Sequence, residues 1–251
     1  MGGILSGGDG HVFVNGETHY GGIAGLALSG NVHLDALVCQ GAAPIGPAFE
    51  ITAVEANLVR GLDGMDVAKA LSPVLHQHAK DTGGGGVMMA GISVEGSARS
   101  SSAAASAASA PSTHEPGYVV RAVLGYMPDS SAISIAASTD LLHAPGARLQ
   151  LHSFSASAAR EELSARVSAL GAAAKARVSD GTGKPLAGGL LAPCLGRGEG
   201  LFGEANVESN VLRAALGDEL QLCGFFAGGE IGPVGRRTFV HTYTSTLALL
   251  S

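Results

Sequence analysis

The sequence predicts an α+β fold in which antiparallel sheets are covered by helices. Asn15-Gly16 lies between two short segments of alternating character, and this residue pair is typical of a tight type I′ hairpin. Arg148–Phe154 alternates polar and apolar side chains, as expected for a strand with one buried face. Residues 159–177 repeat apolar side chains at helical spacing, with acidic residues at the start and basic residues at the end, which favours a helix.

The first 60 residues are predicted to form an antiparallel meander that a loop interrupts. The expected strands, separated by turn-forming residues, are 11–14, 17–20, 23–28 and 32–39. Residues 40–47 contain two prolines and two glycines, which do not suit the interior of a sheet, so they predict a shaped loop.

The middle of the chain is predicted to hold strands, a helix and an insertion. The strands are expected at 49–53, 57–59 and 87–94. A helix is expected from about Asp66, with Pro73 kinking it or ending its first part. Residues 97–112 are almost entirely Ser and Ala without an apolar face, so we expect a mobile loop inserted within a domain.

The second half alternates strands with two helices. Besides the segments at 148–154 and 159–177, strands are expected at 118–125, 132–137, 190–194, 222–226 and 238–250. A second helix is predicted from about Asn206 to Gly217, with Gly217 placed to stop it. Residues 238–250 are predicted to form one closing strand, with β-branched residues on one face and His241 and Tyr243 on the other.

Composition limits the classes of protein to which the chain can belong. Of its 251 residues, 46% are hydrophobic and 14% charged, which predicts a folded protein with a sizeable core. The net charge of −6 disfavours nucleic acid and anionic membranes as partners. Three scattered cysteines favour a reducing compartment, and no apolar run approaches the roughly 20 residues of a membrane span. We therefore expect a soluble, intracellular and most simply cytoplasmic protein.

A glycine-flanked arginine is the first candidate binding group. Gly196-Arg197-Gly198 follows a predicted buried strand and leads toward a helix, which is where open α/β sheets place ligands. The fixed charge of Arg197 suits a carboxylate or a phosphate. The alternative is a surface arginine in a tight turn.

A second glycine-rich segment, 228–233, follows the next predicted strand and is expected to be a loop at the same edge of the sheet. It contains Gly229 and Glu230. The Glu230 carboxylate could accept a ligand amine or pair with Arg197, and the two charges together would suit a zwitterion. A purely structural salt bridge between the two loops is the alternative.

Catalytic, metal and cofactor sites are not predicted. Cys194, His241 and Glu230 could supply a nucleophile, a base and an orienting group, but their spacing does not fix them together, and Cys194 ends an apolar strand. His76 and His78 would point to different faces of a helix. The expected protein is therefore not an enzyme.

Four blocks in the order of the chain resemble the FIST domain. They are Cys194-x-Gly-Arg-Gly, Asn206-Val-Glu, Gly224-Phe-Phe-x-x-Gly-Glu-Ile-Gly and His241-x-Tyr-Thr-x-x-Leu-Ala-Leu. By this resemblance, residues 1–60 are the end of the FIST N-terminal half, and residues 61–251 are the C-terminal domain with its Ser/Ala-rich insertion at 97–112. Most of the N-terminal half would then be missing, so the chain is expected to be a fragment or isoform, or to have an incomplete ligand site.

The resemblance implies a sensory or signal-transduction domain that binds a small anionic or zwitterionic ligand, such as an amino acid. The ligand-binding residues that it implies are Gly196, Arg197, Gly198, Glu208, Gly229, Glu230 and His241. His241 could equally be a satisfied core histidine. Relatives in which a FIST half follows an F-box imply the alternative function: a protein-interaction module that acts as substrate receptor in ubiquitin signalling, with ubiquitin-ligase components as partners.

Overall fold

The structure, a computed structural model, describes residues 1–5, 10–83, 85–93 and 117–251. Its strands are β1 Gly2–Ile4, β2 His11–Val14, β3 Glu17–Tyr20, β4 Leu34–Cys39, β5 Ala42–Glu55, β6 Leu58–Leu62, β7 Met65–Asp66, β8 Val87–Ser93, β9 Tyr118–Met127, β10 Ala132–Ile135, β11 Arg148–Phe154, β12 Gly188–Pro193, β13 Leu222–Gly224, β14 Gly229–Val234, β15 Arg237–His241 and β16 Ser245–Leu250. Its helices are α1 Val67–Thr82, α2 Thr139–Leu142, α3 Ala156–Ser179, α4 Glu199–Phe202 and α5 Val207–Leu216. The predicted α+β class is confirmed.

The chain divides into two compact units. Unit 1 contains Met1–Cys39, Leu163–Pro233 and Thr238–Ser251. Unit 2 contains Gln40–Glu162 and Val234–Arg237. The predicted Ser/Ala-rich insertion at 97–112 lies outside the described residues.

Unit 1 is built on a four-stranded sheet in the order β13-β12-β16-β4. β16 pairs antiparallel with both β12 and β4, and β13 joins β12 in parallel. Leu247 and Leu249, on one face of β16, belong to a core cluster. Its other members come from β4, α3, α5 and the segment after α5: Leu37, Cys39, Leu163, Val167, Leu212 and Leu220. The apolar periodicity of the two helices therefore buries one face of each against this sheet.

The N-terminal hairpin is confirmed, whereas the strand predicted at 23–28 is wrong. β2 and β3 pair antiparallel across Asn15 and Gly16, both at positive φ as a type I′ turn requires. Residues 23–28 have no regular structure, and Ile23 is 99% exposed. An extended segment needs a partner strand, and among the described residues none pairs with this one. β1 joins a separate sheet in the order β1-β14-β15.

Unit 2 is a sheet that closes on itself. The strand order is β10-β9-β8-β11-β5-β6-β7, and β10 also pairs with β6. The sheet is antiparallel throughout. α1 packs over one side of it and buries Val67, Ala70 and Leu71.

The predicted loop at 40–47 is wrong, because β5 runs through both prolines. Pro44 pairs with His152 of β11. The pairing register shifts between Gln150 and Leu151, so that Gly46 and Pro47 form a bulge without a pairing partner in β11. β6 pairs with β5 only from Ile51 onward, so no described strand pairs with the other edge of β5 beside the prolines. A proline is tolerated at an unpaired edge or a bulge because no ladder hydrogen bond is lost there.

α1 begins where the sequence predicts but is not ended by Pro73. The Asp66 carboxylate caps the helix by accepting from the Ala68 amide at 2.8 Å. The helix continues past Pro73 to Gly83, whose φ of 68° suits a C-cap. Pro73 removes one donor, but Lys69, four residues earlier, is exposed, so its carbonyl can bond water instead.

Two predictions near the C-terminus are wrong, and both concern the candidate site. Residues 228–233 are not a loop, because Gly229–Val234 forms β14. Residues 238–250 are not one strand, because the chain breaks after His241 and Tyr243 has a φ of 60°. A β-branched run favours an unbroken strand, but here buried side chains bond the backbone at the break.

Candidate functional site

The end of β12 starts the candidate site in unit 1. Cys194 extends β12 by one bridge to Ala227, and its amide donates to the Thr244 carbonyl at 2.8 Å. The chain then turns through Gly196-Arg197-Gly198 into α4. Gly198 has φ 73° and ψ −152°, a conformation open essentially to glycine alone. The turn thereby directs Arg197 inward.

A buried ion pair is the centre of the site. The Arg197 side chain is completely buried, and its Nε donates to Oε1 of Glu208 at 2.7 Å. Its Nη1 donates to the Tyr243 carbonyl at 3.1 Å, and its guanidinium lies 5.7 Å from the centre of the Phe202 ring, within cation–π range. Arg197 is therefore not a surface residue of a tight turn.

Glu208, rather than Glu230, is the carboxylate that pairs with Arg197. It lies in the first turn of α5 and is 6% exposed. Burial raises the pKa of its carboxyl, while the charge and hydrogen bond of Arg197 oppose that rise. Because Arg197 forms its ion pair with Glu208, the suggested Arg197 to Glu230 salt bridge is replaced by a different pair.

Glu230 is a buried carboxyl with one unused oxygen. It lies on β14 with no exposed surface, and its Oε2 accepts from the Thr244 amide at 3.1 Å. Within the described parts of the chain, Oε1 has no hydrogen-bond partner of acceptable geometry, although the Cys194 thiol, a weak donor, lies close enough to act on the carboxyl. Burial raises the pKa of Glu230 to about 7, against the opposing effects of the Thr244 amide, the Cys194 thiol and the Arg197 charge.

Cys194 and His241 are both buried side chains of unit 1. Burial, with a smaller contribution from the charge of Glu230, raises the pKa of the Cys194 thiol, which disfavours the thiolate. The His241 ring is 1% exposed, and its Nε2 donates to the Gly232 carbonyl at 3.1 Å. This contact bridges β15 and β14, as expected of a core histidine.

The predicted residues fall into two groups within unit 1. Arg197 and Glu208 are in direct contact, and Arg197 and Cys194 both act on the pKa of Glu230. Gly229 and His241 lie on the adjoining β14 and β15, where a Cβ on Gly229 would stand 3.6 Å from the His241 carbonyl. The site is thus a cluster of buried side chains beside the glycine turn, rather than two loops at the same edge of a sheet.

Three contributors were missed as site residues: Tyr243, Thr244 and Phe202. The first two act through a backbone carbonyl and a backbone amide, which other residue types would supply equally well, so their residue types carry no signal. The block His241-x-Tyr-Thr in the sequence did point to this stretch, although not to the break in the strand. Phe202 follows the Gly-Arg-Gly turn closely enough to cover its arginine, but a single aromatic residue is not a specific pattern.

Two general features of the described residues bear on binding chemistry. Within them, His, Cys, Asp and Glu side chains do not form a group of three or more that could hold a metal ion. None of the helices that the structure describes is long and apolar enough to cross a membrane.

Comparison with known proteins finds similarity to mycobacterial sequences along nearly the whole chain. The chain is 29% identical over 253 residues to "Uncharacterized protein MT0656" and to "Uncharacterized protein Rv0628c", both of Mycobacterium tuberculosis. It is 28% identical to "Uncharacterized protein Mb0898c" of Mycobacterium bovis. Each alignment covers 99% of this chain, but the chain spans only about 60% of the length of these curated relatives.

Two family models match the chain in order. The FIST N domain matches residues 1–65, and the FIST C domain matches residues 77–233. The second match covers more than half of the chain and includes Arg197, Glu208 and Glu230. FIST domains are associated with sensory and signal-transduction proteins. The chain therefore belongs to the FIST domain family.

Proposed function

We propose that this protein is a non-enzymatic sensory domain that binds a small zwitterionic ligand, such as an amino acid, at Glu230 and Arg197. The observation that carries the proposal is the unused Oε1 of Glu230, a carboxyl oxygen in a side chain with no exposed surface. A buried polar atom without a partner is costly to the folded state. A ligand ammonium group that donates to Oε1 would remove that cost.

Arg197 supplies the complementary group for a ligand carboxylate. Its Nη2 lies 2.7 Å from Oε1 of Glu208, but it has no hydrogen bond with acceptable geometry in the described structure. The site therefore combines an acceptor without a hydrogen bond and a guanidinium nitrogen whose contact with Glu208 is an ion pair without hydrogen-bond geometry. Guanidinium groups suit carboxylates, and a zwitterion would satisfy both groups together.

The surface over the site offers a route for the ligand. Leu195 and Phe226 are 56% and 52% exposed, and a Cβ on Gly198 would lie 3.1 Å from the Phe226 ring. Movement of the Phe226 side chain, which contacts the turn at Gly198, would uncover it without breaking β12 or β14. Exposed side chains change rotamer readily, so binding does not require the sheet to open.

The same geometry favours binding over catalysis. The raised pKa of the Cys194 thiol keeps it protonated near neutral pH. Nε2 of His241 is committed to the Gly232 carbonyl. A nucleophile needs an adjacent base to activate it, and this arrangement instead suits a site that recognises a ligand unchanged.

A thermal-shift screen against the common amino acids tests the proposal, because a ligand that binds only the native state raises its stability. We expect at least one amino acid to raise the Tm in a saturable manner, and Glu230→Gln to abolish the shift. Glu219→Gln, a change of the same kind at an exposed position, should keep it.

No shift with any amino acid would contradict the proposal. The interaction-module alternative stays a prediction, and co-purification of defined ubiquitin-ligase subunits together with an absent shift would favour it. A shift that survives both Glu230→Gln and Arg197→Met would place the ligand elsewhere in the protein.

A further inference from the structure

Unit 2 contains an apolar cavity that the proposed function does not use. It has a volume of about 310 Å³ and lies between α1 and the closed sheet. It is lined by Val67, Leu71, Leu75, Met88, Val123 and Leu151, together with Ala68, Ser72, Tyr126 and Ile133. We propose that this cavity binds a neutral, largely apolar small molecule about the size of two fused rings.

The lining disfavours charged ligands. Among the described residues it contains no charged side chain, and its polar members there are two hydroxyl-bearing residues, Ser72 and Tyr126. The Ser72 hydroxyl already donates to the Ala68 carbonyl within α1 at 2.6 Å. Leu75 and Tyr126 leave the site open on one side, but a charged group packed against the apolar lining would still lose part of its hydration without compensation. The lining therefore favours a neutral occupant.

The volume sets the size of the occupant. An engineered apolar cavity of about 150 Å³ is dry and binds benzene in another protein. The present cavity is about twice as large and reaches the lower limit of ordinary ligand pockets, about 300 Å³. A molecule of two fused rings therefore fits, whereas a single ring would leave much of the lining without contacts.

The position of α1 explains why the cavity persists. On one side the helix approaches β5 so closely that a Cβ on Gly46 would stand 2.5 Å from a Val74 methyl group. At its start the Asp66 carboxylate accepts from the Ala68 amide and from the Ser131 hydroxyl, just before β10. With both contacts fixed, the helix cannot settle further onto Met88 and Val123 to fill the space.

One polar group at the rim can orient the ligand. The Tyr126 hydroxyl lies 3.4 Å from the Ser131 hydroxyl, at the long end of hydrogen-bond distances. A ligand hydroxyl or carbonyl could replace this weak contact at little cost. Among neutral two-ring molecules, the site should therefore prefer one that carries a single hydroxyl group.

A direct binding measurement with the full chain tests this inference. The probe is the neutral two-ring fluorophore 6-propionyl-2-(dimethylamino)naphthalene, and the competitors are 2-naphthol and its anionic counterpart 2-naphthalenesulfonate. We expect saturable probe binding, displacement by 2-naphthol, and displacement by the sulfonate that is weaker by about tenfold or more. Equal displacement by both competitors, or no saturable binding, overturns the inference.

Two matched variants of α1 locate the binding. Ser72→Phe adds a ring at the cavity, and His76→Phe adds the same ring at an exposed position of the same helix outside the lining. Ser72→Phe should weaken probe binding by about tenfold or more, and His76→Phe by less than about twofold. Equal effects of both variants, or no effect of Ser72→Phe with its helix content and Tm retained, would refute the assignment.

Two further controls distinguish probe binding in this cavity from binding in unit 1 and from burial of the cavity in a dimer. Glu230→Gln changes unit 1 and should leave probe binding unchanged, so failure of the amino-acid screen and failure of this inference remain distinguishable. Sedimentation of the same variants tests whether a second copy covers the cavity instead. A dimer that does not bind the probe and that Ser72→Phe dissociates would overturn the small-molecule assignment.

Discussion

Arg197 and Glu208 form an ion pair, with a distance of 2.7 Å between Nε and Oε1, and neither side chain is more than 6% exposed. The pair holds the Gly-Arg-Gly turn against α5. Its charges are removed from water, so each depends on the other for compensation. The candidate site is built around this pair, and Arg197 also donates to the Tyr243 carbonyl.

Removing one member of the pair should be far more damaging than removing both. Arg197→Met leaves a buried carboxylate without its partner and should lower the free energy of unfolding by about 3–5 kcal/mol. The double variant Arg197→Met/Glu208→Leu should recover much of that loss. Urea unfolding of the two single variants and the double variant gives the coupling energy.

Additive losses in that cycle would contradict a direct interaction between the two charges. Arg213→Met, on an exposed position of the same α5, is the matched control for loss of an arginine. It should change the free energy of unfolding by less than about 0.5 kcal/mol, as is usual at the surface.

Glu230 should make the protein less stable as the pH rises toward 7. Its pKa is about 7 in the folded protein, above the value of 4.5 for a free carboxyl, so the folded state holds this proton more tightly. The resulting stability is fully present below about pH 4.5 and is lost as the pH rises through about 7. Glu230→Gln, which stays neutral, should flatten this part of the stability profile.

The measurement is urea unfolding at a series of pH values from about 5 to about 8 for the parent protein, Glu230→Gln and the exposed control Glu219→Gln. Other titrating groups contribute equally to the parent and the control. A slope that is the same in all three proteins would show that Glu230 does not hold its proton in the folded state.

How far the sequence determines this site can be judged from Arg197 and Tyr243. The Gly-Arg-Gly turn was predictable, because glycines on both sides of a charged residue after a buried strand are a local signal. The break at Tyr243 was not, because its residue type and the β-branched neighbours favour a continuous strand. The Tyr243 carbonyl and the Thr244 amide bond side chains that are distant in sequence, and these contacts outweigh the local preference.

The fold shows the same division between local and distant effects. The Asn15-Gly16 hairpin and the Asp66 cap depend on nearby residues and are where the sequence predicts them. The prolines of β5 predict a loop that the structure does not contain, because tolerance of proline depends on which edge of the strand is paired. That pairing is set by β6 and β11, and is not encoded in residues 40–47.

Gly198 should be intolerant of any side chain. Gly198→Ala places a Cβ 3.1 Å from the Phe226 ring and forces a non-glycine residue to adopt a φ of 73° with a ψ of −152°. We expect a loss of about 1–3 kcal/mol in the free energy of unfolding. Gly200→Ala is the matched control, since a Cβ there meets no atom within 4 Å and lies within α4.

The control should be neutral or slightly stabilising, because alanine is the better helix former by about 1 kcal/mol. Chemical unfolding of both variants provides the comparison. If Gly198→Ala were as stable as Gly200→Ala, the turn would not need the conformation that directs Arg197 inward.

The three cysteines should react with a thiol reagent in a fixed order. Cys223 is exposed, whereas Cys39 and Cys194 are buried, and the raised pKa of Cys194 further lowers its thiolate fraction. Native protein treated with iodoacetamide at about pH 8 should therefore gain one label, at Cys223, and unfolded protein should gain three. Peptide mass spectrometry measures both the number of labels and their positions. Rapid native labelling at Cys194, retained in Cys223→Ser, would mean that its thiol is an accessible nucleophile, and the proposal of a purely binding site would then fail.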